Sequence, residues 1–249
     1  MTVATPISDG LEICAGGAAM LTDTNTMVVA DLHLGCEAAL EYKGLSIPRV
    51  QTRKISAYLE EAVSSYSPEE LVVAGDLKHN FSRNLVQVWK DVAEFVKTVV
   101  GRVSLSVVRG NHDNYLGAIL AEHGLRMTDE LRRGRFVIGH GHRAMCRRER
   151  VLMGHIHPSI TLREATGARL KSGCFLYRRD REVLVLPALS LVSPGVDVIG
   201  STCADRMSPM LSDSGLADFE PLVVSKEGVL RFPKVRALRE SVSGGVDSE

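Results

Sequence analysis

The sequence predicts an α/β fold with largely parallel strands and a second sheet packed on the first. Two observations carry this. Short apolar runs, each ending in a polar residue, recur between residues 26 and 157, with amphipathic helical patterns among them. After Ile160 the helical signal fades and short strand patterns follow one another. Alternating strands and helices imply a mostly parallel sheet, and a later set of strands is most economically a second sheet laid on it.

In chain order, Thr26-Met27-Val28-Val29-Ala30 runs into Asp31, and Leu71-Val72-Val73-Ala74-Gly75 into Asp76. Val103 to Val108 runs into Arg109-Gly110-Asn111-His112-Asp113, Phe136 to Gly139 into His140, and Val151 to Gly154 into His155-Ile156-His157. Continuous, β-branched runs of this length predict strands buried on both faces. Between them, Arg49 to Ser65 places Val50, Ile55, Tyr58, Leu59, Ala62 and Val63 at helical spacing. Asn84 to Val100 does the same with Leu85, Val88, Trp89, Val92, Phe95, Val96 and Val99, which are expected to be core. Pro48 and Pro68 stand where a helix start tolerates proline, and Ser67-Pro68-Glu69-Glu70 resembles a capping box. His123, before Gly124, reads as a helix-end residue. Cys174 to Tyr177, Val183 to Leu186, Leu222 to Val224 and Gly228 to Leu230 read as strands separated by Gly, Pro and Asp turns. Ser193 to Glu220, rich in Ser, Asp, Pro and Gly, predicts long loops. One domain over 1–240 is expected, with 241–249 as a flexible tail.

Composition narrows the class. Of 249 residues, 45% are apolar and 24% charged, which excludes a disordered, collagenous or coiled-coil chain. A chain of this length buries a core without disulfides or a structural metal. No run approaches the ~18 apolar residues of a membrane span. The first twenty residues lack a basic start and a continuous apolar stretch, so no secretory signal is read and a cytoplasmic protein is expected. Cys14, Cys36, Cys146, Cys174 and Cys203 are scattered and form no C-x-x-C pair, which argues against a disulfide framework or a zinc–thiolate site. The 30 Lys+Arg balance 30 Asp+Glu, but residues 126–181 hold 14 basic against 5 acidic residues, a net of +9. Such a block can build a local field for an anionic substrate, although a solvated basic face is the plainer expectation.

The chemistry sits at the strand ends, where ligands of open α/β sheets bind. Those ends carry Asp31-x-His33, Asp76, Asn111-His112-Asp113, His140 and His155-x-His157. Carboxylate, imidazole and amide oxygen suit Mn²⁺, Fe or Zn²⁺. Seven such groups exceed what one ion needs and fit two ions sharing a bridging carboxylate. Residues i and i+2 point alike in extended chain, so each Asp/His and His/His pair is expected to converge from a strand end. Gly75, Gly110 and Gly154 adjoin candidate ligands and are expected to permit sharp turns and leave room for a phosphate. A lone D-x-H or H-x-H is more often a surface pair. It is the ordered set, each member closing an apolar run, that points to a metal centre.

That ordered set resembles the signature of the calcineurin-like metallophosphoesterases, over Val28 to Ser190. The strings Ala30-Asp31-Leu32-His33-Leu34-Gly35, Gly75-Asp76-Leu77-Lys78-His79, Gly154-His155-Ile156-His157-Pro158 and Leu186-Pro187-Ala188 resemble its small archaeal and bacterial branch, which includes DNA-ligase-associated phosphoesterases. The resemblance implies a four-layer α-β-β-α sandwich, two mixed sheets flanked by helices. It implies that Asp31, His33 and His157 hold one metal, that Asn111, His140 and His155 hold the other, and that Asp76 bridges them. His140 is preferred to His142 because it directly follows its strand, leaving His142 beside the ligands or on the substrate. Two ions about 3.5–4 Å apart turn a bridging water into hydroxide and clamp the phosphoryl oxygens. His112 is then the residue for leaving-group protonation or transition-state stabilisation.

Asp113 either orients His112 through its second N–H or caps the following helix. Lys78 and His79 either touch a substrate phosphate or sit in a solvated loop. Arg109 is either a structural ion-pair residue or a phosphate contact. Arg143, Arg147, Arg148 and Arg150, near two ligands in sequence, are further candidates for substrate contact. The expected activity is phosphodiester hydrolysis on nucleotide or nucleic-acid substrates with two divalent ions, Mn²⁺ before Fe or Zn²⁺. The alternatives are a phosphomonoesterase for a small metabolite and, from a retromer subunit that keeps this fold, a non-catalytic scaffold. Association with a DNA ligase or helicase follows from resemblance only.

Overall fold

Met27 and Val29 turn to one face of their strand and Val28 and Ala30 to the other, and both faces are buried. The same alternation repeats in Leu71/Val73 against Val72/Ala74. This double burial makes the runs continuously apolar. The computed structural model of the chain describes residues 4–45, 47–79, 86–145, 149–163, 167–211, 215–225 and 228–243.

The first sheet holds seven strands in sequence order: β1 (Thr5–Ser8), β2 (Leu11–Ile13), β3 (Ala19–Leu21), β4 (Thr26–Val29), β5 (Glu70–Ala74), β6 (Ser104–Val108) and β7 (Met127–Thr128). β1 to β4 pair antiparallel and β4 to β7 parallel. Its outer face is covered by α1 (Cys36–Tyr42), α2 (Gln51–Tyr66), α3 (Val86–Val100) and α4 (Leu116–Glu122), through Ile55, Leu59, Val92, Phe95 and Ile119. Trp89 packs on this layer half-buried. His123 is the residue that ends α4.

The second sheet is built from β8 (Glu130–Arg133), β9 (Phe136–Gly139), β10 (Arg150–Met153), β13 (Phe175–Arg178), β14 (Val183–Val185), β16 (Glu220–Ser225) and β17 (Gly228–Arg231). β9, β10 and β14 run parallel at its centre. Phe136, Ile138, Leu152, Phe175 and Leu184 face Val28, Val72 and Ala74 of the first sheet, so the two mixed sheets share one core. Over the far face lie a three-stranded sheet of β11 (Pro158–Arg163), β12 (Arg169–Gly173) and β15 (Val196–Asp197), residues 198–211 and 215–219, and α5 (Val235–Ser243), which buries Val235. The layering is helix, sheet, sheet, and a thinner mixed layer.

Two expectations change. Ser67 to Glu70 is not a capping box: Ser67 closes α2 in a left-handed turn (φ 47°), and Glu70 opens β5. The stretch read as a tail from Ser241 begins inside α5; residues 244–249 lie outside the described ones. No helix among the described residues is long and apolar enough to cross a membrane.

Candidate metal centre

The parallel strands of both sheets end at one place. After β4 the chain turns through Asp31, Leu32 and His33, zipped to the turn after β5 by Asp31 N–H to Gly75 O (3.1 Å), His33 N–H to Asp76 O (2.9 Å) and Leu34 N–H to Leu77 O (2.9 Å). These turns are not extended, as the i, i+2 spacing had suggested. Nine described non-glycine residues have left-handed φ, and five of them are Asp31 (56°), His33 (48°), Asp76 (51°), His155 (71°) and His157 (49°). Each costs on the order of 1–3 kcal/mol, and such strain collects at functional sites. The intervening Leu32 and Ile156 are fully buried, so each turn anchors one side chain in the core and offers two polar ones to the centre.

The neighbouring glycines make room for the candidate ligands. A Cβ at Gly75 would meet the His140 ring, one at Gly110 the Asp76 carboxylate, and one at Gly154 the Asp31 carboxylate. Only Gly75 of the three has a positive φ (86°); at the other two the requirement is space.

Ligand atoms of Asp31, His33, Asp76 and His157 all lie within 4.8 Å of one another. His157 Nε2 is 3.2 Å from Asp31 Oδ1 and 3.2 Å from His33 Nε2. Two donors each about 2.1 Å from one ion stand about 3 Å apart, which these spacings match. Asp31 Oδ1 is buried with no hydrogen bond. On the other side of Asp76, His140 Nε2 is 3.4 Å from Asp76 Oδ2 and 3.0 Å from Asn111 Oδ1. His140 Nδ1–H donates to Ala74 O (3.1 Å), which turns its Nε2 towards the Asn111 amide and the Asp76 carboxylate. The His155 ring lies 4.9 Å from that of His140, and its Nε2–H donates to Met207 O (3.0 Å), leaving Nδ1 for the centre. Asp76 Oδ1 accepts the His112 N–H at 2.9 Å. The spacing among Asp31, His33, Asp76 and His157 therefore fits a divalent cation, with Asn111, His140 and His155 gathered on the other side of Asp76.

Electrostatics agree. Burial would raise the Asp31 carboxyl, but the nearby charges of His157 and His140 outweigh it and hold it low. Asp76 is likewise held well below the usual carboxylate range, its burial overcome by His140 and the His112 N–H. Burial lowers His140, yet its hydrogen bond to Asp76 and the charges of Asp31 and Asp76 push it up to about 9. His33, with burial dominant, falls to about 4. In the metal-free protein His140 thus holds a proton that a cation bound at its Nε2 would replace. Below pH 9 that proton has to leave on metal uptake, so apparent Mn²⁺ affinity is expected to rise with pH towards 9, with proton release. Calorimetric titrations in buffers of different ionisation enthalpy measure it; an affinity flat from pH 6 to 9 would contradict it.

The remaining candidates divide. His112 reaches the centre: its Nδ1–H donates to His79 O (2.6 Å), turning Nε2 to within 4.0 Å of Asp76 Oδ2. The His79 ring stacks on it at 5.8 Å. Asp113 neither orients the His112 ring through that nitrogen nor caps α4; it is buried and accepts the N–H groups of Gly110 (2.8 Å) and Lys78 (3.3 Å). Burial, then the charge of Asp76, raises it to about 6. Lys78 is not a solvent-facing contact: it is 2% exposed and its Nζ donates to His112 O at 2.6 Å. His142 lies beside His140 (rings 5.1 Å apart), and burial lowers it to about 4. Arg109 and Arg143 share Asp129, each at 3.4 Å.

Arg150 opens β10, at the opposite end from His155, and pairs with Glu182 at 2.6 Å. Arg132, Arg133, Arg135 and Arg178 also meet carboxylates, so much of the basic block is neutralised in place. Arg147 and Arg148 lie outside the described residues. An open cleft of about 280 Å³ is lined by Asp76, Asn111, His112, His155 and His157, with Ser193 to Val196 and Met207 as its other wall. Ser193 Oγ meets His157 Nδ1 at 2.9 Å. Neither Ser193 nor the Met207 carbonyl had a sequence signal.

Two packed mixed sheets whose strand ends gather these carboxylates and imidazoles define a metal-dependent phosphoesterase. The chain belongs to the calcineurin-like phosphoesterase family, whose model matches residues 24–199. Among solved structures it resembles the nuclease MPE of Pseudomonas putida, at 23% identity and a TM-score of 0.65, covering 89% of this chain and 96% of that one. It also aligns with Yfce, a phosphoesterase from E. coli, at 15% identity and a TM-score of 0.37, covering 82% and 90%. No curated protein matches the sequence.

Proposed function

We propose that the protein hydrolyses phosphodiester bonds in nucleotide or nucleic-acid substrates with two divalent cations, Mn²⁺ first among them. Asp31, His33 and His157 hold one, Asn111, His140 and His155 the other, and Asp76 bridges them. One observation carries this reading: Asp76 Oδ2 faces both sets, 3.8 Å from His33 Nε2 and 3.4 Å from His140 Nε2. When bound, such a pair supplies Lewis acidity to the phosphoryl group and lowers the pKa of the attacking water.

The side chains do the rest. His112, aimed by the His79 carbonyl, presents Nε2 to the cleft and gives its proton to the departing oxygen. Lys78 and Asp113 hold the His112 loop from beneath. His79 and His142 flank the two ends of the ligand cluster as substrate contacts. Nucleic acid stands first among substrates because the fold is shared with a protein described as a nuclease, and because the sequence strings resemble the ligase-associated branch. Partnership with a DNA ligase or helicase rests on that resemblance alone.

A substrate panel with Mn²⁺, Fe²⁺ and Zn²⁺ in turn tests the proposal. A chromogenic phosphodiester and single-stranded DNA are expected to turn over faster than a mononucleotide. Preference for the monoester in all three metals would replace this reading with a phosphomonoesterase.

A further inference from the structure

Gln51 opens α2 and is fully buried, yet it is not among the donors of the centre. Its amide is saturated. Nε2–H₂ donates to the carbonyls of Leu32 (3.1 Å) and His33 (2.7 Å), and Oε1 accepts from Ser190 Oγ–H (2.9 Å) and Val192 N–H (3.3 Å). Two donors and two acceptor positions are what a side-chain amide offers. The two carbonyls belong to the turn that carries Asp31 and His33, whose left-handed residues have to be held by their surroundings. The two donors belong to the segment that runs on to Ser193, where the hydroxyl meets His157. The same segment is tied to the first turn by Ser190 N–H to Asp31 O at 3.1 Å. Gln51 is itself fixed from behind, because Glu37 Oε1 accepts the N–H groups of Val50 (2.9 Å) and Gln51 (2.6 Å).

We infer that Gln51 is a positioning residue that sets the spacing of His33 and His157, the two imidazoles whose Nε2 atoms stand 3.2 Å apart on one side of Asp76. The inference rests on reading the cluster as a metal centre. It is selective: the side-chain bonds of Gln51 serve the Asp31/His33/His157 position and not the Asn111/His140/His155 position. Buried polar partners of this kind commonly change metal affinity by about 10–100-fold when removed.

The test titrates metal-free protein with Co²⁺, read by visible absorption and calorimetry. Gln51→Glu keeps the size and both acceptor bonds and loses both donations; Gln51→Met keeps the volume and loses all four. In each, one of two Co²⁺ steps is expected to weaken about 10–100-fold with an altered spectrum, the other step unchanged. Val96→Ala, a core truncation in α3, serves as the control that lowers Tm and leaves both steps intact. Gln51 variants that lose Tm as Val96→Ala does, with both steps at wild-type affinity, would overturn the inference. If neither Gln51 variant folds, Ser190→Ala removes one bond to Oε1, and the same step has to weaken by a smaller factor; unchanged affinity there overturns it too. Wild type that takes up no Co²⁺ removes the metal centre and this inference together, whereas two Co²⁺ steps of wild-type affinity in every variant remove this inference alone.

Discussion

Asp76→Asn is expected to cut turnover by at least about 10³-fold under saturating Mn²⁺, a loss of ~4 kcal/mol of transition-state stabilisation. Bound metal should fall from two ions per chain to one. The reason is position. Asp76 turns one oxygen to the Nε2 atoms of both His33 and His140, its other oxygen being held by the His112 N–H, whereas Asp31 meets His140 at Nδ1, the nitrogen bonded to Ala74 O. The asparagine keeps the shape and the hydrogen bond to that N–H. It removes one of the two buried negative charges that draw cations into the cleft, and offers an amide where His140 and His33 present nitrogen. Activity on a chromogenic phosphodiester and metal content by elemental analysis check both halves. Wild-type turnover in Asp76→Asn would refute the two-metal mechanism.

The parts of this centre that were legible in the sequence share one property: they follow strands buried on both sides. β4, β5, β9 and β10 could be read because each face needs apolar residues, and a candidate ligand then stands out as the first polar residue after the run; after β6 it follows Arg109 and Gly110. β1 to β3 are three or four residues long and broken by Gly10, Gly16 and Gly17, too short to show a period. The ligand turns were misread because spacing i, i+2 is degenerate: extended chain and two left-handed residues around a buried Leu32 or Ile156 both bring the outer pair to one side. Tertiary pairing was invisible. Nothing near Arg133 in sequence announces Glu70, nor does Arg135 announce Asp9 and Asp23, so a block of nine net charges looked freer than it is. Gln51 and the Met207 carbonyl act through backbone groups, which no side-chain pattern encodes.

His112→Ala separates metal binding from proton transfer. His112 is not among the seven proposed ligands, and its backbone N–H, which holds Asp76, survives the substitution. Two ions should therefore still bind, and Tm should respond to Mn²⁺ as in wild type. Turnover on single-stranded DNA is expected to fall by about 10²–10⁴, the range for loss of a positioned acid. The loss should depend on the leaving group. A nitrophenolate departs without a proton, whereas a sugar alkoxide does not, so the chromogenic diester should lose far less than DNA does. Equal losses on both substrates would assign His112 to stabilising charge on the phosphoryl oxygens, and loss of metal along with activity would make it a ligand. The neutral tautomer fixed by His79 O leaves Nε2 without a proton, so donation needs the doubly protonated ring.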